Sequence, residues 1–204
     1  MNFAMELNGK TLEYYEDTHT YLYDGILLPS ITGLMKHRFA NKYAGISKET
    51  LARAAHKGTE VHEAIEQYIT AGTPSELPEV RNFAFLQKWY GFEVSATERP
   101  VVLHHDGRPI AAGRFDLQLE MNGETGGADI KRTATLDKEY LALQLNLYRI
   151  ATRQTYGIEW KFLKGIHLRD TVRKFIDIPI NEGLTIEFIK EYLKERRNDL
   201  SINA

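Results

Sequence analysis

The sequence contains no cysteine. This absence excludes a disulfide framework, a cysteine nucleophile, a thiolate zinc site and an iron–sulfur cluster, and it is typical of an intracellular protein. No apolar run approaches the ~18 residues that cross a bilayer, and the N-terminus lacks the basic and apolar stretches of a secretory signal. We therefore expect a cytoplasmic protein that does not contact membranes.

Several signatures of catalysis and binding are also missing. The sequence has neither a glycine-rich phosphate loop nor a Gly-x-Ser-x-Gly nucleophile elbow, and the helix with His62 and Glu63 lacks the second histidine of a zinc protease. The net charge is −2 and the pI about 6.4, so the chain as a whole lacks the basic composition typical of many nucleic-acid-binding proteins. Any nucleic-acid site must therefore be local.

The overall composition indicates one mixed domain. A length of 204 residues with 43% hydrophobic content is typical of a globular protein with a substantial core. Helix caps at Ser30, Ser47 and Asp137 separate helical from alternating segments, and aromatic residues on both sides of Asp24-Gly25 predict a hairpin. We predict a single α/β domain over 1–204, with an N-terminal hairpin and short helix at about 12–38 packed on its core.

A second predicted hairpin carries the most informative polar residues. Residues 110–121 alternate between apolar and polar as one half-buried strand, and Asn122-Gly123 is the preferred pair for a two-residue type I′ turn. Counting outward from this turn places Asp116 directly opposite Asp129, and Lys131 returns to the same face. Opposed carboxylates are destabilising unless something bridges them, so this pair predicts a divalent cation site.

Two alternatives to this interpretation stay open. The polar residues are also compatible with the solvated face of an ordinary hairpin. In addition, a bulge at Gly126-Gly127 would shift the register by one residue and turn Asp129 and Lys131 to the other face.

The helix that begins after Ser47 supplies a candidate third ligand. Its apolar residues recur at offsets of three and four, and His62 lies within that stripe. A histidine on such a face is either a hydrogen-bonded core residue or a ligand. Gly58 lies one turn earlier without a turn or cap to explain it, which indicates close approach of another backbone or a ligand. Arg53 and Lys57 lie four residues apart on a different face and could flank the site.

Gln144 and Tyr148 lie four residues apart on a later helix, and therefore on one side of it. The surrounding leucines make this helix apolar on almost all sides, so we expect it to be buried. A buried glutamine needs partners for its amide. A local pair that satisfies nearby backbone groups is the simpler alternative to a functional role.

Four segments taken together resemble a known family. They are Gly-Thr-Glu-Val-His at 58–62, Gly-Arg-Phe-Asp at 113–116, Asp-Ile-Lys at 129–131 and Gln-Leu-Asn-Leu-Tyr at 144–148. Their order resembles the motif series of the RecB-like branch of the PD-(D/E)xK nuclease superfamily, and the segment 21–32 is similar to small phage-encoded members. The resemblance implies a restriction-endonuclease-like α/β core, a mixed sheet flanked by helices, and Mg²⁺- or Mn²⁺-dependent hydrolysis of DNA phosphodiesters.

The resemblance also implies roles for individual residues. His62, Asp116, Asp129 and the backbone carbonyl of Ile130 would hold the metal ion, a donor set that suits Mg²⁺ or Mn²⁺. Asp116, Asp129 and Lys131 would be the catalytic residues, with Lys131 holding or activating the attacking water.

A further group of residues is expected to contact DNA. Gln144 and Tyr148 would line the site beside it. Many members of the branch have threonine or serine directly after the motif lysine, whereas this sequence has Arg132, which becomes a candidate phosphate contact together with Arg53 and Lys57.

The resulting functional hypothesis is a metal-dependent DNA exonuclease for end resection in phage or bacterial recombination and repair. A structure-specific endonuclease on the same fold and an inactive DNA-binding or partner-recruiting module are the alternatives. Expected partners are DNA and a single-strand annealing or recombination protein. A homo-oligomer is left open, and the expected location is the cytoplasm of a bacterium or a phage-infected host.

Overall fold

The computed structural model describes residues 3–18, 20–36, 38–40 and 44–202, with side chains described to residue 196. The strands are β1 (Phe3–Leu7), β2 (Lys10–Tyr15), β3 (Thr20–Tyr23), β4 (Ile26–Leu28), β5 (Glu93–His105), β6 (Arg108–Met121), β7 (Glu124–Lys131), β8 (Phe162–Leu168) and β9 (Arg173–Ile178). The helices are α1 (Ile31–Met35), α2 (Lys48–Ala71), α3 (Pro78–Tyr90), α4 (Lys138–Tyr156) and α5 (Glu182–Ile202).

The central sheet has the order β5-β6-β7-β8-β9. Strands β7 and β8 are parallel and the other neighbours are antiparallel, so the sheet is mixed. Helices α2 and α3 cover one face through one apolar cluster, and α1, α4 and α5 cover the other face through a second. The predicted α/β class, with a mixed sheet flanked by helices, is confirmed.

The N-terminal region is larger than the predicted hairpin. Strands β1 to β4 form an antiparallel meander, because Asn8-Gly9 makes an additional tight turn that the sequence interpretation did not use. The meander packs its apolar face against Val102 and Ala112 of the central sheet, and the Ala112 N–H donates to the carbonyl of Pro29 (3.1 Å). His19 and His37, within the predicted range 12–38, lie outside the described residues.

Helix α2 begins and ends where its sequence predicts. The Ser47 hydroxyl accepts a hydrogen bond from the Thr50 N–H (3.2 Å), and Gly72 ends the helix in a left-handed conformation with φ of 65°. The predicted core stripe is only half correct, however. Val61 is buried, whereas Ala54 and Ala55 are exposed, because a helix of 24 residues extends for about 36 Å and its first turns project beyond the sheet.

Two adjacent glycines of β7 are required by large aromatic neighbours. A Cβ atom at Gly127 would lie 2.1 Å from the ring of Trp160, and one at Gly126 would lie 2.3 Å from the ring of Phe162. Trp160 is fully buried and cannot move aside without displacing the core. The glycines that made the register uncertain in sequence are therefore packing residues.

We expect Gly127→Ala to destabilise the protein by about 3 kcal/mol, since the added methyl group overpacks the core against Trp160. The melting midpoint should fall by roughly 6–12 °C for a chain of this length. Thermal unfolding followed by circular dichroism measures the change. Gly183→Ala is the matched control, because nothing lies nearer than 3.9 Å to the added Cβ, and an equal loss in both variants would contradict the packing explanation.

Helices α4 and α5 are joined by an ion-pair cluster. The Glu182 carboxylate accepts hydrogen bonds from Arg153 (2.6 Å) and Arg149 (2.9 Å), and Glu159 pairs with the same two arginines. The hydrogen bonds from Arg153 and Arg149 lower the pKa of Glu182 from 4.5 to about 2.

This pKa shift predicts an acid-dependent contribution to stability. A carboxyl group with a lowered pKa stabilises the folded state above its unfolded pKa and loses that effect as pH falls toward the folded pKa. Glu182→Gln should therefore lower the urea midpoint near pH 6, with the difference from wild type shrinking as pH falls from about 4.5 toward 2. The control is Glu187→Gln, an exposed residue of the same helix without an ion pair among the described side chains. A difference for Glu182→Gln that is constant with pH would contradict the assignment.

Among the described residues, no helix is both long and apolar enough to cross a membrane.

Candidate metal centre

The register between β6 and β7 follows the count from the turn. Asn122 and Gly123 have φ values of 54° and 78°, as a type I′ turn requires. Pairing then runs without a shift from Met121↔Glu124 to Leu117↔Ala128, so Asp116 and Asp129 are the next residues on the two strands. The alternative register, with a bulge at the two glycines of β7, is absent from this pairing.

Strands β6 and β7 separate at the two aspartates. Instead of bonding a main-chain carbonyl of β6, the Ile130 N–H donates to Oδ2 of Asp116 (2.8 Å). Strand β7 meanwhile continues beside β8 as far as Lys131↔His167. The Asp116 carboxylate therefore lies at the point where the ladder ends, against the backbone that carries Asp129 and Lys131.

The alternation of β6 changes phase at the same point. Phe115 packs in the core on the α4 side, whereas Leu117 and Leu119 pack in the core under α2 and α3. The prediction that residues 110–121 present one continuous apolar face is therefore wrong. The strand changes the face that it presents at Asp116, which leaves this side chain between the two layers.

Glu98 is a site residue that the sequence interpretation missed. Thr97 pairs with Leu117 and Arg99 with Phe115, so Glu98 lies opposite Asp116 on the other side of β6. Its φ of 45° is rare for a non-glycine residue in a strand, and such strained residues concentrate at functional sites.

The sequence alone gives a different partner for Asp116. Counting back from the Asp106-Gly107 turn places Thr97 opposite it, but a register shift near Leu103 moves Glu98 into that place. Bulges of this kind cannot be recognised from a single sequence. The positive φ of Glu98 is equally invisible there.

His62 enters the gap from α2. Its Nε2 atom lies 3.1 Å from the carbonyl oxygen of Ile130, and its Nδ1 atom lies 3.6 Å from Oδ2 of Asp116 and 3.8 Å from Oε1 of Glu98. Ligand atoms of His62, Glu98 and Asp116 all lie within 4.8 Å of one another. Neighbouring ligands of an octahedral ion with bonds of ~2.1 Å are about 3 Å apart, so these side chains need only small movements to share one cation.

The carboxylates dominate the electrostatics around His62. Burial lowers the pKa of His62, but Asp116, Glu98 and Asp129 have a larger effect in the opposite direction. The net result is a pKa raised from 6.5 to about 9. A partly buried imidazole with so high a pKa indicates a strongly negative local potential. The same potential attracts a divalent cation.

The buried Asp129 and the partly exposed Lys131 form an ion pair beside this cluster. The Asp129 side chain is 2% exposed, and Nζ of Lys131 lies 2.5 Å from its Oδ2 atom. Burial and the nearby Asp116 raise the pKa of Asp129, with Lys131 and His62 opposing them. Burial lowers the pKa of Lys131, but Asp129 and Asp116 raise it more strongly, so its side chain is an ammonium group at neutral pH.

The donor set fits a hard divalent ion. Apart from the ion pair with Lys131, both oxygens of Asp129 are buried without a hydrogen-bond donor among the described residues, which is costly for a carboxylate. The surrounding donors are carboxylate oxygens, one backbone carbonyl and one imidazole, a combination that suits Mg²⁺ and, with the nitrogen, Mn²⁺. The structure brings Asp116, Ile130 and His62 together, and Glu98 adds a further carboxylate.

Helix α4 forms the opposite wall. The Tyr148 ring packs on Gly113, where an added Cβ would lie 3.1 Å from the hydroxyl and ring of Tyr148. This contact explains why position 113 is a glycine. Burial raises the pKa of Tyr148 well above 10, and Asp116, Asp129 and Glu98 act in the same direction. Tyr148 therefore interacts electrostatically with all three carboxylates.

Gln144 lies one turn before Tyr148 on α4 and is 5% exposed. Its carbonyl oxygen is buried and accepts no hydrogen bond among the described residues. The simpler alternative, a local pair, therefore does not account for this oxygen.

The three basic residues predicted to contact phosphate differ in their surroundings. Arg132 is held by the fully buried Glu79 (2.6 Å), and Lys57 pairs with Glu60 (2.9 Å). Arg53 is exposed on the projecting part of α2 and has no ion pair among the described residues. Of the three, Arg53 is the most accessible to a polyanion.

Comparisons with known proteins find similar solved structures but no matching family model or curated sequence. Seventeen chains of solved structures match. One of them, titled "Crystal structure of SSO0001", is 16% identical over 81% of this chain and 74% of that chain, with a TM-score of 0.47. A likeness of this size assigns neither a family nor an activity.

Proposed function

We propose that this chain is a divalent-metal-dependent deoxyribonuclease of the RecB-like branch of the PD-(D/E)xK superfamily, acting as an exonuclease on DNA ends. One observation carries the proposal: His62, Asp116 and the backbone of Ile130 meet where β6 and β7 separate, next to the Asp129–Lys131 pair. The motif residues are far apart in sequence. A merely solvated hairpin would not bring a partly buried lysine, two aspartates and a histidine together.

In this proposal His62, Asp116, Asp129 and the Ile130 carbonyl hold the metal ion, with Glu98 as an additional carboxylate. When bound, a Mg²⁺ or Mn²⁺ ion polarises the scissile phosphate and lowers the pKa of a bound water. The protein contributes the geometry. The N–H of Ile130 fixes one oxygen of Asp116, and the Ile130 carbonyl faces the imidazole of His62.

Lys131 acts as a charged donor. Because Asp129 keeps it protonated, its ammonium group can donate hydrogen bonds to the attacking water or to a phosphate oxygen as negative charge develops. Tyr148 supports this arrangement by packing on Gly113 of β6, three residues before Asp116. Gln144, whose buried carbonyl oxygen has no hydrogen-bond partner among the described residues, is assigned to the wall beside the nucleic acid.

The proposed substrate contacts begin on α2. Arg53 and Lys57 lie on the same helix as His62, nine and five residues before it, and the first turns of that helix project into solvent. Lysine and arginine contacts to phosphate make affinity salt-dependent. Expected partners are linear DNA and a recombination protein that receives the resected strand.

The test is incubation of end-labelled linear DNA and closed circular DNA with the protein in Mg²⁺, in Mn²⁺ and in EDTA. Loss of label from linear DNA alone, with metal and not with EDTA, supports an exonuclease. Cutting of closed circles overturns the exonuclease assignment in favour of an endonuclease on the same fold. If neither DNA is cut in either metal while DNA is still bound, the chain is a binding module and the proposed activity is wrong.

A further inference from the structure

The outer face of α3 carries an exposed row of aromatic and cationic side chains. Arg81, Phe85 and Trp89 follow one another at intervals of four residues and so lie along one side of the helix. Trp89 is 72% exposed and Phe85 42% exposed, and their rings are stacked 5.9 Å apart at an interplanar angle of 11°. A tryptophan this exposed, stacked on a second exposed ring, is not part of the core.

The edge strand β9 extends the same surface. The guanidinium of Arg173 lies 3.9 Å from the centre of the Phe85 ring, and Tyr90 packs on Phe175 with ring centres 4.6 Å apart. Scattered exposed aromatics are ordinary, whereas a contiguous group marks a binding surface. We call this surface the α3 aromatic–cationic face, made of Arg81, Phe85, Lys88, Trp89 and Arg173.

The charge of this face indicates the chemistry of its ligand. Within the part of the chain that the structure describes, neither Lys88 nor Arg173 has a carboxylate partner, and Arg81 has only the exposed Glu76 at 3.7 Å. The face therefore offers flat apolar rings together with available positive charge. Single-stranded nucleic acid has the complementary features, bases with open faces and a phosphate on every residue, whereas a duplex hides the faces of its bases.

The position of the face connects it to the candidate metal centre. Glu79, in the first turn of α3, bonds Arg132, which directly follows Lys131. The row from Arg81 to Trp89 then leads away from that contact over about 12 Å of helix. Arg81 lies two residues after Glu79 and is exposed, so the row lies on the outer side of α3, turned away from the buried Glu79–Arg132 contact.

We propose that the α3 aromatic–cationic face binds single-stranded DNA, with a base stacked on Trp89 and phosphates held by Arg81, Lys88 and Arg173. The inference rests on the proposed function, because it assumes that DNA is the substrate. It assigns the face to an unpaired DNA strand, in a contact made outside the metal site.

Tryptophan fluorescence in EDTA tests the proposal without cleavage. The chain has two tryptophans, and Trp160 is fully buried, so quenching of the exposed emission reports on Trp89. We expect oligothymidylate to quench this emission, and Trp89→Ala to weaken binding measured by anisotropy of a labelled oligonucleotide by roughly tenfold. Arg173→Ala should weaken binding and reduce its dependence on salt.

The matched control is Leu184→Ala, which removes an apolar side chain that is 59% exposed on α5. Equal oligonucleotide affinity for wild type, Trp89→Ala and Arg173→Ala would overturn the proposal even if the protein cuts DNA. Quenching and a Trp89-dependent affinity in a protein that cuts no DNA would sustain the binding face and refute the nuclease. Self-association that is lost in Trp89→Ala, without oligonucleotide binding, would assign the face to a second copy of the chain instead.

Discussion

Replacing Lys131 by alanine is expected to reduce metal-dependent cleavage of linear DNA by about a thousandfold, the loss typical of removing a donor that stabilises developing charge. Lys131 is the cation next to Asp129, 2.5 Å from its Oδ2 atom, and its neighbours keep it protonated. Single-turnover rates on end-labelled duplex measure the loss. Lys190→Ala, at an exposed position of α5, should cleave at the wild-type rate.

Removing this lysine also has a cost in stability, which a second variant separates from catalysis. Without Lys131 the buried Asp129 loses its counter-charge, and breaking a buried ion pair typically costs ~3–5 kcal/mol. Lys131→Arg retains the charge and protects the fold, but a planar guanidinium cannot reproduce a compact ammonium donor, so cleavage should still fall at least about a hundredfold. Near wild-type activity in a folded Lys131→Ala protein would refute the assigned role.

Divalent metal is expected to raise the thermal stability of the wild-type protein and to have no such effect on Asp116→Asn. A ligand at about one hundred times its dissociation constant stabilises the folded state by ~2.7 kcal/mol, which is roughly 5–10 °C in a chain of this length. Asp116 is central because its Oδ2 atom lies 2.8 Å from the Ile130 nitrogen and 3.6 Å from His62. Scanning calorimetry with Mn²⁺ and with EDTA measures the shift.

The control for this experiment is Asp106→Asn, which neutralises an exposed aspartate in a turn with φ of 48°, a conformation that asparagine also adopts. Its melting temperature should respond to Mn²⁺ as the wild type does. A metal-induced rise of the same size in Asp116→Asn would place the cation elsewhere in the protein.

The half of the site that lies on β6 and β7 could be predicted because local chemistry sets its register. Asn122-Gly123 permits a single hairpin geometry, so Asp116 and Asp129 could be placed across from each other by counting. Gly126 and Gly127 made that count uncertain, and the sequence could not show why they are there. Their reason is tertiary, since the rings of Phe162 and Trp160 occupy the space of any Cβ.

The other half of the site depends on irregularities that a sequence does not record. The shift near Leu103 and the positive φ of Glu98 together bring this carboxylate opposite Asp116. The change of face at Asp116 also cannot be read from the sequence. Ideal alternation places Phe115 and Leu117 on one face, whereas the structure places them on opposite faces. Regular periodicity therefore fails at the residues that form the site.

The helices show a similar division between local and tertiary information. The caps at Ser47 and Asp137 are local, and both helices begin where these residues predict. The extent of the core beneath α2 is not local. Ala54 belongs to the same apolar stripe as Val61, yet it is exposed because the sheet ends before the helix does.

The central claim is that a divalent cation binds where β6 and β7 separate. Crystals grown or soaked in Mn²⁺ test it directly through the anomalous difference map. We predict a peak within about 2.2 Å of Asp116, Asp129 and the Ile130 carbonyl, with His62 completing the set. A protein that is saturated with Mn²⁺ and shows no peak in this gap, or a peak only elsewhere, would contradict the account.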